Sequence, residues 1–115
     1  MNLKDSSLFH EKCYVDGAWM DADSGETIAV TNPATGETLG SIPKMGASET
    51  ERAIAAADAA LPAWRAKTAK ERSVILRKWY DLMLENQEDL AVLMTLEQGK
   101  PLPEAMGEVL YSASF

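Results

Sequence analysis

Thr95-Leu96-Glu97-Gln98-Gly99-Lys100-Pro101 is the stretch that sets where the last helices of this chain stop and start. Leu90, Leu93 and Met94 recur at helical spacing ahead of it and predict a helix with one apolar stripe. Gly99 stands where that helix needs a left-handed residue, and only glycine takes φ > 0 without a Cβ clash. Lys100 puts positive charge beside the exposed carbonyls of the helix end. Pro101 prevents the helix from continuing. The stretch therefore predicts a helix stop and the entry to another helix.

Downstream, Pro103 suits the first turn of that next helix, whose apolar side is predicted to be Met106, Val109, Leu110 and Ala113. The pattern is still running at Phe115, with no cap, glycine or proline, so the expectation is of a segment cut from something longer. Upstream, Asn86 is expected to cap the helix that ends at Gln98. Thr68-Ala69-Lys70-Glu71 is a capping box. It opens a helix with Ile75, Trp79, Leu82 and Met83 on one face and Glu71, Arg72, Lys78, Asp81 and Glu85 largely on a solvated one. Ser48-Glu49-Thr50-Glu51 reads as another capping box. Ile54, Ala57, Leu61 and Trp64 follow as a buried stripe, and Pro62 marks an end or a kink.

The first part of the chain reads as strands. Asp16-Gly17 is a two-residue hairpin turn between Cys13-Tyr14-Val15 and Ala18-Trp19-Met20. Asp21 to Gly25 is a polar loop. Thr27 to Thr31 is a β-type run that turns at Asn32-Pro33-Ala34-Thr35-Gly36 and returns over Glu37 to Pro43. Thr38, Gly40 and Ile42 are expected on one face of the returning strand, and Leu39 and Ser41 on the other. Gly36 and Gly40 read as turn glycines, since no G-x-G-x-x-G surrounds them. Residues 1–12 form an irregular arm from which Leu8 and Phe9 can dock. The fold class is thus α+β, with amino-terminal β-hairpins followed by four helices.

Composition narrows the function. Hydrophobic residues at 46% and charged residues at 25% fit a globular chain rather than a disordered one. A formal charge of −7 argues against a nucleic-acid surface, which needs clustered Lys and Arg. No apolar run is long enough for a membrane helix, and Met1 to Lys12 lacks the apolar core of a secretory signal. The single cysteine, Cys13, cannot form an internal disulfide, which suits a reducing, cytoplasmic setting. Nothing near Cys13 would activate it as a nucleophile. His10, the only histidine, reads as a surface residue rather than a ligand or base.

A set of motifs in order then identifies a family. Thr31-Asn32-Pro33-Ala34-Thr35-Gly36-Glu37 is followed by Ala60-Leu61-Pro62-Ala63-Trp64-Arg65, Glu71-Arg72 and Ile75-Leu76-Arg77. Leu96-Glu97-Gln98-Gly99-Lys100-Pro101, Glu104-Ala105 and Gly107-Glu108 complete the set. Together they resemble the amino-terminal part of the aldehyde dehydrogenase superfamily, and within it the succinate-semialdehyde dehydrogenases. The resemblance spans the whole chain. It implies that residues 1–115 are part of the α/β cofactor-binding domain of that fold, with the catalytic and oligomerisation regions outside.

Members of that family oxidise an aldehyde to an acid with NAD or NADP. A cysteine attacks, hydride leaves to the nicotinamide, and a glutamate activates water to hydrolyse the thioester. Those catalytic residues come later than the part matched here, and Cys13 does not match the cysteine. No catalytic or cofactor-binding residue carries over, and the resemblance implies a complete enzyme that binds NAD or NADP while this segment alone does not. It also implies a homo-oligomer acting on an aldehyde, while the charge and the short apolar runs argue against a nucleic-acid or membrane partner. Two groups of positions do carry over. A monovalent cation beside the hairpin turn would use the carbonyls of Val30 and Thr31 and the carboxylate of Glu97. Gly107 and Tyr111 fall at places that line the substrate tunnel. Glu97 as a plain helix-end acid, and Tyr111 as an interior residue with its hydroxyl bonded, are the competing structural readings. The competing function is a small acidic interaction module without catalysis.

Overall fold

The computed structural model describes residues 2–115. Its elements are β1 (Cys13–Val15), β2 (Ala18–Met20), β3 (Thr27–Thr31), β4 (Thr38–Pro43), α1 (Ala47–Ala66), α2 (Ala69–Glu85), α3 (Gln87–Gln98) and α4 (Leu102–Ala113). The strands pair as two separate antiparallel hairpins, β1–β2 and β3–β4. Asp16 and Gly17 both sit at positive φ, 50° and 79°, as a two-residue hairpin turn requires. In the second hairpin Asn32 Oδ1 accepts the Ala34 N–H at 2.9 Å, and Gly36 closes the turn at φ 76°.

The register of β3–β4 slips between Val30 and Thr31. Val30 pairs with Gly40 and Thr31 with Thr38, so Leu39 bulges out of the ladder. The expected two-face alternation of β4 is lost in consequence: Leu39, Gly40 and Ser41 are all half-buried. Gly40 is not a turn glycine. A Cβ there would meet the Phe9 ring at 2.6 Å, because the amino-terminal arm crosses it. Beside that crossing, Glu11 Oε1 accepts the Ser41 N–H at 2.7 Å.

The arm holds one 3₁₀ turn, Ser6–Leu8, capped by Asp5. At its other end the buried carboxylate of Asp89, in the first turn of α3, accepts the Lys4 N–H at 3.0 Å and the Asp5 N–H at 2.8 Å. The arm therefore ties the hairpins to the helices. Two backbone donors satisfy the charge that burial would otherwise leave exposed to a low-dielectric surround.

α1 starts earlier than its sequence suggests. Its N-cap is Gly46, not Ser48, and Glu49 reaches back as the third helical residue to accept the Gly46 N–H at 2.9 Å. Its other oxygen takes the Asp23 N–H at 2.9 Å, and Arg52 forks onto the Asp23 carboxylate at 2.7 and 2.8 Å. Pro62 does not end the helix. It lies inside α1 with one turn to follow, so a single backbone bond is lost. Arg72 is not on a merely solvated face either: its guanidinium donates to the Lys67 carbonyl just beyond α1. Thr68 caps α2 as expected, with Glu71 returning to its N–H at 2.7 Å. Asn86 holds the N-cap position of α3, but its amide turns back to the Leu82 carbonyl and caps nothing ahead of it.

The buried cluster is Ala91, Ala105 and Val109, with Leu90, Met94 and Met106 packed around it. Small residues at the crossing let α3 and α4 approach closely. Leu110, expected on the apolar side of α4, is half exposed, and Ala105 takes its place. The stripes of α1 and α2 are not buried. Ile54 is 64% exposed and Trp79 63%: the β1–β2 hairpin lies beside the alanines of α1 rather than over its large apolar residues, and α4 covers only part of α2. The radius of gyration, 16.6 Å, exceeds the ~13 Å of a compact chain this long.

The donors around Glu49, Asp23 N–H foremost, lower its pKa from 4.5 to about 2. A carboxylate depressed in the folded state adds stability that is present above its unfolded pKa and lost as pH falls through the folded value. Stability should therefore decline from about pH 4.5 toward pH 2. Glu49→Gln should lower stability at pH 7 and flatten that limb of the profile, as read from urea unfolding across pH. A variant that tracks the parent at every pH would contradict the role of Glu49.

Candidate functional site

The site is built where α3 ends, α4 begins and the tip of the second hairpin meets them. Gly99 has φ 81° and ψ 9°, and its N–H closes on the Thr95 carbonyl at 2.9 Å. A Cβ at Gly99 would lie 3.2 Å from Pro33 Cγ, so the hairpin turn packs on the helix end. This contact brings the Asn32–Gly36 turn and the Glu97–Pro101 stretch together.

Val30 is half-buried and Thr31 exposed, on either side of the register slip. A bulge opens the ladder locally and frees backbone groups there. Glu97 is exposed in the last turn of α3, and its carboxylate takes part in no hydrogen bond or ion pair among the described residues. No group of three His, Cys, Asp or Glu side chains converges among those residues. Any cation here would depend on carbonyl oxygens plus one carboxylate, a donor set suited to a hard ion.

Gly107 and Tyr111 lie one turn apart on the outward side of α4. A Cβ at Gly107 would meet nothing within 4 Å. Tyr111 is 63% exposed and packs edge-on against Phe115, ring centres 4.9 Å apart. It is therefore not an interior tyrosine within this chain, because the inward side of α4 is filled by Ala105, Val109 and Ala113. Beside it, Leu76, Trp79, Tyr80, Met83, Ala113 and Phe115 line an apolar cavity of about 380 Å³ between α2 and the end of α4.

Sequence reasoning missed two polar ties of α4. Lys100 Nζ pairs with Glu108, and Gln87 Nε2 donates to the Met106 carbonyl at 2.9 Å. Lys100 carried a signal only as a helix-end charge, and the partners sit at spacings no helical repeat marks. His10 stacks on Trp19, centroids 3.6 Å apart, as a surface residue, and Cys13 is free and half-buried.

The fit of a nicotinamide dinucleotide can be judged at β4 to α1, the one strand-to-helix junction among the described residues. Dinucleotide cradles need a glycine-rich turn after a parallel strand and a free helix N-terminus for the pyrophosphate. Here the strand is antiparallel, and the Glu49 carboxylate already holds the Gly46 N–H. The β4–α1 junction therefore does not offer that cradle.

Residues 19–115 match the aldehyde dehydrogenase family model. The chain belongs to the aldehyde dehydrogenase family. It is 70% identical to a glutarate-semialdehyde dehydrogenase of Pseudomonas aeruginosa and 64% identical to an NADP(+) succinate-semialdehyde dehydrogenase of Escherichia coli. Each match covers all of this chain and 24% of the relative. A crystal structure of succinate-semialdehyde dehydrogenase from Burkholderia pseudomallei superposes with TM-score 0.96 at 57% identity, over 99% of this chain and 24% of that one. The chain thus spans about a quarter of the length of these aldehyde dehydrogenases, as an amino-terminal segment of the fold.

Gly99→Ala should destabilise the chain by ~1–2 kcal/mol, since an L-residue is strained at this φ. The added methyl would also press on Pro33 at 3.2 Å. Thermal unfolding of the two chains checks this. An unchanged midpoint would contradict it.

Proposed function

We propose that the chain is the amino-terminal segment of an NAD(P)-dependent dehydrogenase that oxidises succinate semialdehyde, or a related aldehyde such as glutarate semialdehyde, to the acid. The observation that carries this reading is the match of the whole chain to dehydrogenases whose names give those two aldehydes. Both substrates are short aldehydes with a distant carboxylate, so the reading amounts to a class of acid-bearing semialdehydes. NAD or NADP, the catalytic cysteine and the water-activating glutamate belong to the remainder of such an enzyme, as do the surfaces of a homo-oligomer. Cys13 has no role in the chemistry.

Within the segment we assign Gly107 and Tyr111 to the wall of the substrate tunnel. Their support is the exposed strip they form on α4. We assign the carbonyls of Val30 and Thr31 with the Glu97 carboxylate to a monovalent cation, supported by the packing of the hairpin turn on Gly99. The uncovered apolar residues of α1 and α2 suit a segment that packs on further layers better than a self-sufficient binding module.

The test is activity. A polypeptide carrying this segment together with the family's cysteine and glutamate regions should reduce NAD or NADP with succinate or glutarate semialdehyde, whereas the purified 115-residue chain should not. Reduction of cofactor by the 115 residues alone would contradict the assignment of the chemistry elsewhere. The same purified chain should bind a dye for apolar surface and self-associate through its exposed α1 and α2 stripes. A strictly monomeric chain that leaves the dye dark would argue that these stripes are not packing surfaces.

A further inference from the structure

We infer that Gln87 and the Lys100–Glu108 pair are positioning residues that fix the roll of α4 about its axis, and so the direction in which Gly107 and Tyr111 face. The inference rests on the proposed tunnel role of that strip. At about 100° per residue, the buried positions Ala105, Val109 and Ala113 define one face of α4, and Gly107 and Tyr111 each lie about 160° around from its centre. The strip is therefore opposite the core face. The buried residues of that face are two alanines and a valine, and the one long side chain beside them, Met106, is flexible and only half-buried, so the packing alone gives little relief to interlock.

The two polar ties supply what that smooth face lacks. Residue 106 stands on one side of the core face and residue 108 on the other, adjoining Gly107 in sequence. Gln87, at the start of α3, donates to the Met106 carbonyl at 2.9 Å, using an acceptor site beyond the helix's own bond. Lys100, delivered by the left-handed turn, takes the Glu108 carboxylate, and its side chain is only 24% exposed. A roll in either direction stretches one of the two. Tyr111 projects from a Cα already about 2.3 Å off the axis, so its hydroxyl would swing by about 3 Å for a roll of about 20°.

The experiment uses the complete enzyme with succinate or glutarate semialdehyde. Gln87→Leu and Glu108→Gln should each raise the aldehyde KM by about three- to tenfold with kcat and cofactor Kd within about twofold, and together they should raise it further. Lys100→Arg, which keeps the charge pair, should leave KM close to that of the parent. A merely structural role would lower stability without this split between KM and kcat. Should Glu108→Gln fail to fold, Glu108→Asp replaces it: an intermediate KM supports the inference and the parent's KM overturns it. An active parent whose Gln87→Leu and Glu108→Gln variants keep its KM overturns the inference alone. A parent that oxidises neither aldehyde overturns the proposed function, and the inference with it.

Discussion

A left-handed residue at Gly99 is the constraint on which the helical half of the chain depends. With φ at 81°, α3 stops after Gln98 and the chain turns within three residues into α4. That reversal sets Ala91 against Ala105 and Val109, the buried cluster of the helical half. The same glycine leaves room for Pro33, so one backbone conformation serves both the helix pair and its contact with the hairpin tip. Lys100 follows directly and converts the turn into an ion pair with Glu108.

Around this turn, cohesion comes from carboxylates that collect main-chain donors rather than from a large core. Asp89 holds the N–H groups of Lys4 and Asp5, and Glu49 those of Asp23 and Gly46. Each joins segments far apart in sequence. Such bonds fix position without needing apolar area, which fits a segment whose α1 and α2 stripes remain uncovered. Family membership explains the imbalance: a chain matching about a quarter of the length of its relatives carries only part of the fold's layers.

Much of the local structure was legible because its signals are local. Asp16-Gly17, Asn32-Pro33, the Thr68 box and Gly99 each act within four residues, and the elements they delimit are present. The start of α1 was misread because Gly46 offers no capping side chain, so Ser48 looked like the better start. The bulge at Leu39 was invisible, since nothing in Thr38–Pro43 distinguishes a slipped register from a regular one. Gly40 looked like a turn residue because the ring that needs its space, Phe9, lies in another segment. In the candidate site, the motif stretches were legible while the ties were not: Gln87 to Met106 and Lys100 to Glu108 follow from how α3 and α4 pack. Periodicity told which faces want burial on α1 and α2, and could not tell what covers them.

The most direct test of the central claim places D-alanine at position 99 by chemical ligation and compares it with L-alanine in thermal unfolding. A D-residue takes φ > 0 freely, whereas an L-residue is strained there. If the left-handed turn organises the helix pair, the D-alanine chain should unfold near the midpoint of the glycine chain and the L-alanine chain several degrees lower. Equal loss in both, or none in either, would contradict the claim that the backbone conformation of Gly99 holds α3 and α4 together.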